Sequence, residues 1–130
     1  MSHQKLEIQT AAAAAFAASA ARLLTDRHCG DVLLLDVTTL SQVCDFVLIG
    51  TGTSDRQMKS VADELAVLGK EAGLPAFRKS VDTGATWIVT DFVTVVAHLF
   101  EPQLRAYYDL EDLWVDARRV ELESGPEQPQ

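Results

Sequence analysis

Between residues 31 and 100 the chain reads as four apolar runs of strand length with one helix-length stretch in the middle, an order that requires a central sheet. In "VLLLDV" four large aliphatic residues follow one another before Asp36. A run of that kind suits a strand covered on both faces, so the first strand is placed at 31–37. "CDFVLIG" at 44–50 is the second, "ATWIVTD" at 85–91 the third and "FVTVVAHLF" at 92–100 the fourth. In the last of these Val93, Val95, Ala97 and Leu99 alternate with Thr94, Val96, His98 and Phe100. The third and fourth runs are close enough to form a hairpin, whereas the second must pass a whole helix before reaching the third. A mixed sheet flanked by helices, in a single α/β domain, is the predicted fold.

Three helical segments surround these runs. Nine alanines between positions 11 and 21 favour a helix from Lys5 to Leu24, with Phe16, Ala20, Leu23 and Leu24 on one stripe. Met58, Val61, Ala62, Leu65 and Leu68 recur at helical spacing, and Gly73 and Pro75 end that helix. "EPQLRAYYDLEDLW" at 101–114 reads as one last helix, with Pro102 in its first turn. The expected layout is an Ala-rich helix over 1–30, the sheet domain over 31–118 and a disordered polar tail over 119–130.

At 130 residues the chain has room for one domain of ordinary size. Its net charge of -8 disfavours docking on bare phosphate backbone, which relies on clustered Lys and Arg; a basic protein surface is a better partner. Cys29 and Cys44 form no C-x-x-C pair, so no zinc site or disulfide framework is expected, and a reduced, cytosolic setting fits. The alanine stretch lacks a basic leader and large apolar residues, which argues against a signal peptide, and no run has the length to cross a membrane.

"GTGTSDRQ" at 50–57 lies between a strand and a helix, where phosphate-binding loops occur. A dinucleotide fingerprint requires a third glycine where this chain has Asp55, and a P-loop requires a Lys followed by Ser or Thr that is absent at that spacing. Ser54 and Gln57 instead have the spacing of a capping box, and Asp55 complements the helix dipole. A nucleotidyltransferase would need carboxylates alternating on a strand to converge on divalent metals. Asp109 and Glu111 have that spacing only in a helix or turn, while Asp36 and Asp91 more simply cap or turn the chain. No cofactor or metal site is expected; a nucleotide-binding or nucleotidyltransferase-like enzyme using this loop is the alternative. Ser54, His98 and Asp91 do not make a triad, because no nucleophile elbow accompanies them. His98 reads as a satisfied histidine within a strand, and Trp87 suits a core position or an interface anchor equally well. Tyr107, Tyr108 and Trp114 could pack a helix onto the core or anchor a partner, including a second copy of the chain.

Three blocks, "DVLLLDVTTLSQVCDFVLIGTGTSDRQMKSVADEL", "WIVTDFVTVVAHLF" and "RAYYDLEDLWVDA", occur in this order over about residues 31–117. In them the chain resembles the ribosomal silencing factor family, also called the Iojap family. The resemblance implies a domain similar in topology to nucleotidyltransferases but without their catalytic carboxylates, and a role that is not enzymatic. It further implies binding to large-subunit ribosomal protein L-fourteen, steric exclusion of the small subunit, reduced translation in nutrient limitation, and homodimers of the free protein. By position in the family motifs, Trp87 and Asp91 are the implied contact residues, and His98, Arg105 and Tyr108 occupy family-typical positions. Two departures stand out. Many relatives have D-x-G-D-V where this chain has "DFVTV", with Val93 and Thr94, and an acidic V-E-G where it has "KSVD", with Lys79 and Ser80.

Overall fold

The computed structural model describes residues 3–122, with side chains from Thr10 onward. A long helix α1 (His3–Asp26) leads into β1 (Gly30–Asp36) and β2 (Phe46–Thr51). Helix α2 (Asp55–Glu71) follows, then β3 (Arg78–Val81), β4 (Trp87–Asp91) and β5 (Val95–Phe100). The described chain closes with α3 (Pro102–Tyr108), α4 (Leu110–Leu113) and β6 (Arg118–Arg119). These strands form one mixed sheet in the order β3-β4-β5-β2-β1-β6. The expected hairpin is β4–β5, antiparallel from Trp87↔Phe100 to Asp91↔Val96. Strand β2 pairs parallel with β5, from Phe46↔Val95 to Thr51↔Phe100, and antiparallel with β1.

Alternation along the strands divides the sheet into two unequal faces. On one, Leu34, Leu48, Ile88, Ala97 and Leu99 pack beneath α1 and α2. Small residues at Ala13, Ala17, Ala20 and Ala21, all essentially inaccessible, let α1 lie close to the strands, and Phe16 and Leu24 fill the remaining space. Helix α2 contributes Met58, Val61, Ala62 and Leu65, the stripe expected from its spacing. On the other face Leu35, Val37, Val47, Ile49 and Phe100 are covered, among the described residues, by Leu104, Leu110 and Trp114 of the short α3–α4 segment and by Ala117 just after it.

Four expectations are corrected. Strand β3 was not anticipated: all four of its residues are exposed, so it lacks the apolar alternation that marks a half-buried strand. The fourth strand begins at Val95 rather than Phe92, because 92–94 form a turn in which Val93 has φ 74°. The last helix is two, since Asp109 takes a left-handed conformation at φ 46° and ends α3 before α4 begins. The sheet also passes the boundary set at 118. Arg119 pairs with Leu35, and the Val120 amide donates to the Leu34 carbonyl at 2.8 Å. Residues 123–130, most of the expected tail, lie outside the described residues.

The Gly-rich loop begins a helix. Ser54 has extended backbone, and its Oγ accepts from the Gln57 amide at 3.0 Å. The reciprocal bond runs from the Thr53 amide to Gln57 Oε1 at 3.0 Å, one residue earlier than in the usual box. Gln57 Nε2 then donates to the Arg27 carbonyl at 2.9 Å, tying the loop to the end of α1. Arg56 points into solvent. The glycines are required by packing: a Cβ on Gly50 would stand 2.7 Å from Leu24 Cδ2, and one on Gly52 only 2.1 Å from Met58 Cγ. Since Met58 is fully buried, Gly52→Ala should lower stability by about 1–3 kcal/mol, the usual range for overpacking a dense core. Urea unfolding checks this, and an unchanged midpoint would mean that Met58 yields its space freely.

Candidate partner-binding face

Because Trp87, Val89 and Asp91 alternate with Ile88 and Thr90, they point away from α1 and α2, onto the thinly covered face. Pairing carries the same face to Val96, His98 and Phe100 on β5, and to Arg78 and Ser80 on β3. The half-buried Trp87 ring is the centre of an aromatic stack. It lies 5.0 Å from Phe100, 6.0 Å from His98 and 5.0 Å from Tyr108. Trp87 Nε1 donates to His98 Nδ1 at 3.2 Å, which makes His98 the acceptor and leaves its remaining proton on Nε2. Phe100 is buried, and Tyr108 is 52% exposed, so the stack runs from the core to the surface.

The turn before β4 aims the tryptophan. Asp82 Oδ1 accepts from the backbone amides of Thr86 and Trp87, each at 2.7 Å, and Asp82 Oδ2 accepts from the Thr86 hydroxyl. The Thr86 hydroxyl and these amides hold the Asp82 carboxyl below its ordinary pKa. This carboxylate was not anticipated, although its D-x-G setting marks a turn.

The other residues implied by the resemblance divide by location. The stack unites Trp87, His98 and Tyr108. Asp91 lies at the opposite end of β4, about 13 Å along the strand from Trp87. Its Oδ1 accepts from the Val93 amide at 2.7 Å and shapes the turn. Arg105 is largely enclosed, with its side chain 11% exposed. Its Nη1 donates to the Asp31 carbonyl and to Thr51 Oγ1, both at 2.7 Å, and Nη2 meets Glu111 at 3.4 Å. It therefore anchors α3 and α4 against the ends of β1 and β2. Asp36 is likewise structural, accepting from Thr38 and from Arg118 Nη2.

The apolar residues Val89 and Val96 and the polar Ser80 extend the face beyond the residues implied by the resemblance. Period-two alternation around Trp87 would have found Val89. Ser80 carried no signal, because β3 itself was not legible.

Comparison with known proteins places this architecture. Residues 10–130 match the sequence model of a family described as "Ribosomal silencing factor during starvation". A ribosomal silencing factor from Halalkalibacterium halodurans is 38% identical over 104 residues, spanning 80% of this chain and 89% of that protein. One from Bacillus subtilis is 36% identical over 109 residues, covering 84% and 92%. A crystal structure of a Chromobacterium violaceum protein superposes with a TM-score of 0.70 at 29% identity, covering 99% of this chain and 98% of that one.

Burial depresses the His98 pKa to about 4, so the folded protein holds this ring neutral. Its folded value lies below the unfolded value near 6.5, so the unfolded chain binds the extra proton first as pH falls. The stabilisation is complete above pH 6.5 and is lost progressively as pH drops toward 4. The full difference is about 3 kcal/mol. Denaturant unfolding between pH 7 and pH 4 should show a steeper loss in wild type than in His98→Gln; parallel curves would refute the assignment.

Proposed function

Because this chain belongs to the ribosomal silencing factor family, we propose that it binds the free large ribosomal subunit through ribosomal protein L-fourteen and sterically blocks joining of the small subunit. Translation falls under nutrient limitation as a result. The observation that carries this reading is the sheet face left thinly covered by helix, with the Trp87 stack reaching the surface at Tyr108. Clustered aromatics on a rigid sheet are the usual anchors of a protein interface. A net charge of -8 favours a basic ribosomal protein over RNA as the immediate partner and speeds their encounter.

Residues take distinct roles in this reading. Trp87, Tyr108 and Asp91 contact the partner, His98 orients the indole, and Arg105 holds α3 so that Tyr108 sits over Trp87. The protein acts in the cytoplasm without cofactor or catalysis, and the free form is a homodimer. Occupying the joining surface is sufficient.

The hydrogen bonding of the Gly-rich loop disfavours the enzymatic alternative, since a phosphate cradle needs free backbone amides and here those of Gly52, Thr53 and Gln57 donate to the Phe100 carbonyl, Gln57 Oε1 and Ser54 Oγ. Binding of ATP, CTP, GTP or UTP with magnesium in calorimetry would revive it.

Gradient sedimentation with separated subunits tests the proposal. The protein should travel with the large subunit and not with joined ribosomes. Tyr108→Ala, an exposed change, should weaken binding by about tenfold, in the range of interface hot spots. Trp87→Ala should weaken it further. Wild-type protein remaining at the top of a gradient with excess large subunits would end this reading.

A further inference from the structure

Val93 has φ 74°, a left-handed conformation that a β-branched side chain adopts only when its surroundings impose it. Here they do. Phe92 is buried and meets Phe16 edge-on at 4.8 Å, its amide donates to the Val95 carbonyl at 2.8 Å, and the Thr94 amide donates to the Phe92 carbonyl at 2.9 Å. Asp91 Oδ1 accepts from the Val93 amide. From the other side, the Asp45 and Phe46 amides both donate to the Thr94 carbonyl, at 2.8 and 3.1 Å. The turn also leaves Thr94 Oγ1 buried without a partner among the described residues. A strained backbone and an unsatisfied hydroxyl thus coincide in one three-residue turn.

What the turn presents is apolar. Val93 is 54% exposed, and the loop between β1 and β2, bonded to the same turn, exposes Val43 at 83% and Leu40 at 47%. An exposed valine gains little for the fold, and glycine would suit its conformation better. Carboxylates flank the patch. Asp45 forms no ion pair among the described residues, and the only side-chain hydrogen bond of Asp91 there is to the Val93 amide. Phosphate would be repelled, whereas an aliphatic side chain set between Lys or Arg residues would fit both the apolar surface and the charge.

We infer that Val93, together with Val43, is an apolar specificity contact that seats a basic protein segment at the Asp91 end of the sheet. This rests on the large-subunit reading above and adds Val93 and Val43 to the contact it gives Asp91 at the far end of β4. The strain in the turn is the cost of holding a side chain where glycine would otherwise sit.

Val93→Gly tests it with two readouts. Thermal unfolding should occur at or above the wild-type temperature, because the left-handed strain is relieved, while affinity for purified large subunits falls about five- to tenfold. Val93→Ala keeps a Cβ in the strained conformation and should weaken binding without the gain in stability. Val43→Ser should weaken binding with unfolding unchanged. Wild-type affinity in Val93→Gly, with wild-type protein still co-sedimenting, would overturn this contact alone. Wild-type protein that fails to co-sediment would remove the large-subunit reading and this contact together. Tighter binding to protein-free ribosomal RNA than to the subunit would overturn the basic-protein partner.

Discussion

The parallel seam between β2 and β5 is the constraint on which the rest of the molecule depends. Two antiparallel units, β1–β2 and β4–β5, become one sheet only because six residues of β2 pair in register with six of β5. A parallel pair cannot be closed by a tight turn, so the chain must travel back over one face, and α2 makes that return. Helix α1 covers the rest of the same face. Among the described residues the opposite face is covered chiefly by the two short helices that follow β5, which is why it retains half-buried aromatic and aliphatic side chains at the surface. The exposure of this face follows from how the connection is routed.

That face is arranged by polar groups that do not lie on it. Asp82 orients the entry to β4 through three hydrogen bonds, and Arg105 fixes the helices beyond β5 through the Asp31 carbonyl and Thr51. Between these supports the Trp87–His98 hydrogen bond keeps the indole N–H satisfied while both rings stack. A neutral His98 is needed for this, since a protonated ring has no acceptor nitrogen. Burial and hydrogen bonding therefore serve the same end: an aromatic cluster held in one arrangement.

Two loops, one holding Gly50 and Gly52 and the other Val93, invert the usual expectations. Gly50 and Gly52 occupy the place of a phosphate cradle, yet each admits a side chain of the neighbouring helices where a Cβ would collide. Val93 occupies a turn whose backbone favours glycine and carries an exposed side chain instead. In the first case small residues serve the core. In the second the core, through Phe92, holds an unfavourable conformation for the benefit of the surface.

Much of the fold was legible in local pattern. Residues such as Leu33–Leu35 and Val47–Ile49 announce buried strands, the spacing from Met58 to Leu65 announces a helix face, and Ser54 with Gln57 announces where that helix begins. These signals are local because burial alternates with the geometry of each element. Strands β3 and β6 left no such mark: their residues are exposed, and they exist because β4 and β1 offer unpaired backbone groups along their edges. The site was legible in the same measure. Trp87, His98 and Tyr108 could be singled out by type and by resemblance, but only the pairing of β4 with β5 and the break at Asp109 brings them into one stack. Arg105 and Asp91 matched the same motifs, and their bonding partners, distant in the chain or hidden in a turn, separate an anchor from a turn-former. The sequence by itself determined the first two helices, the buried strands and the capped loop, since these depend on neighbours along the chain. Tertiary structure alone decided the edge strands, the uncovered face and the conformation of Val93, because each depends on which backbone or side chain arrives from elsewhere.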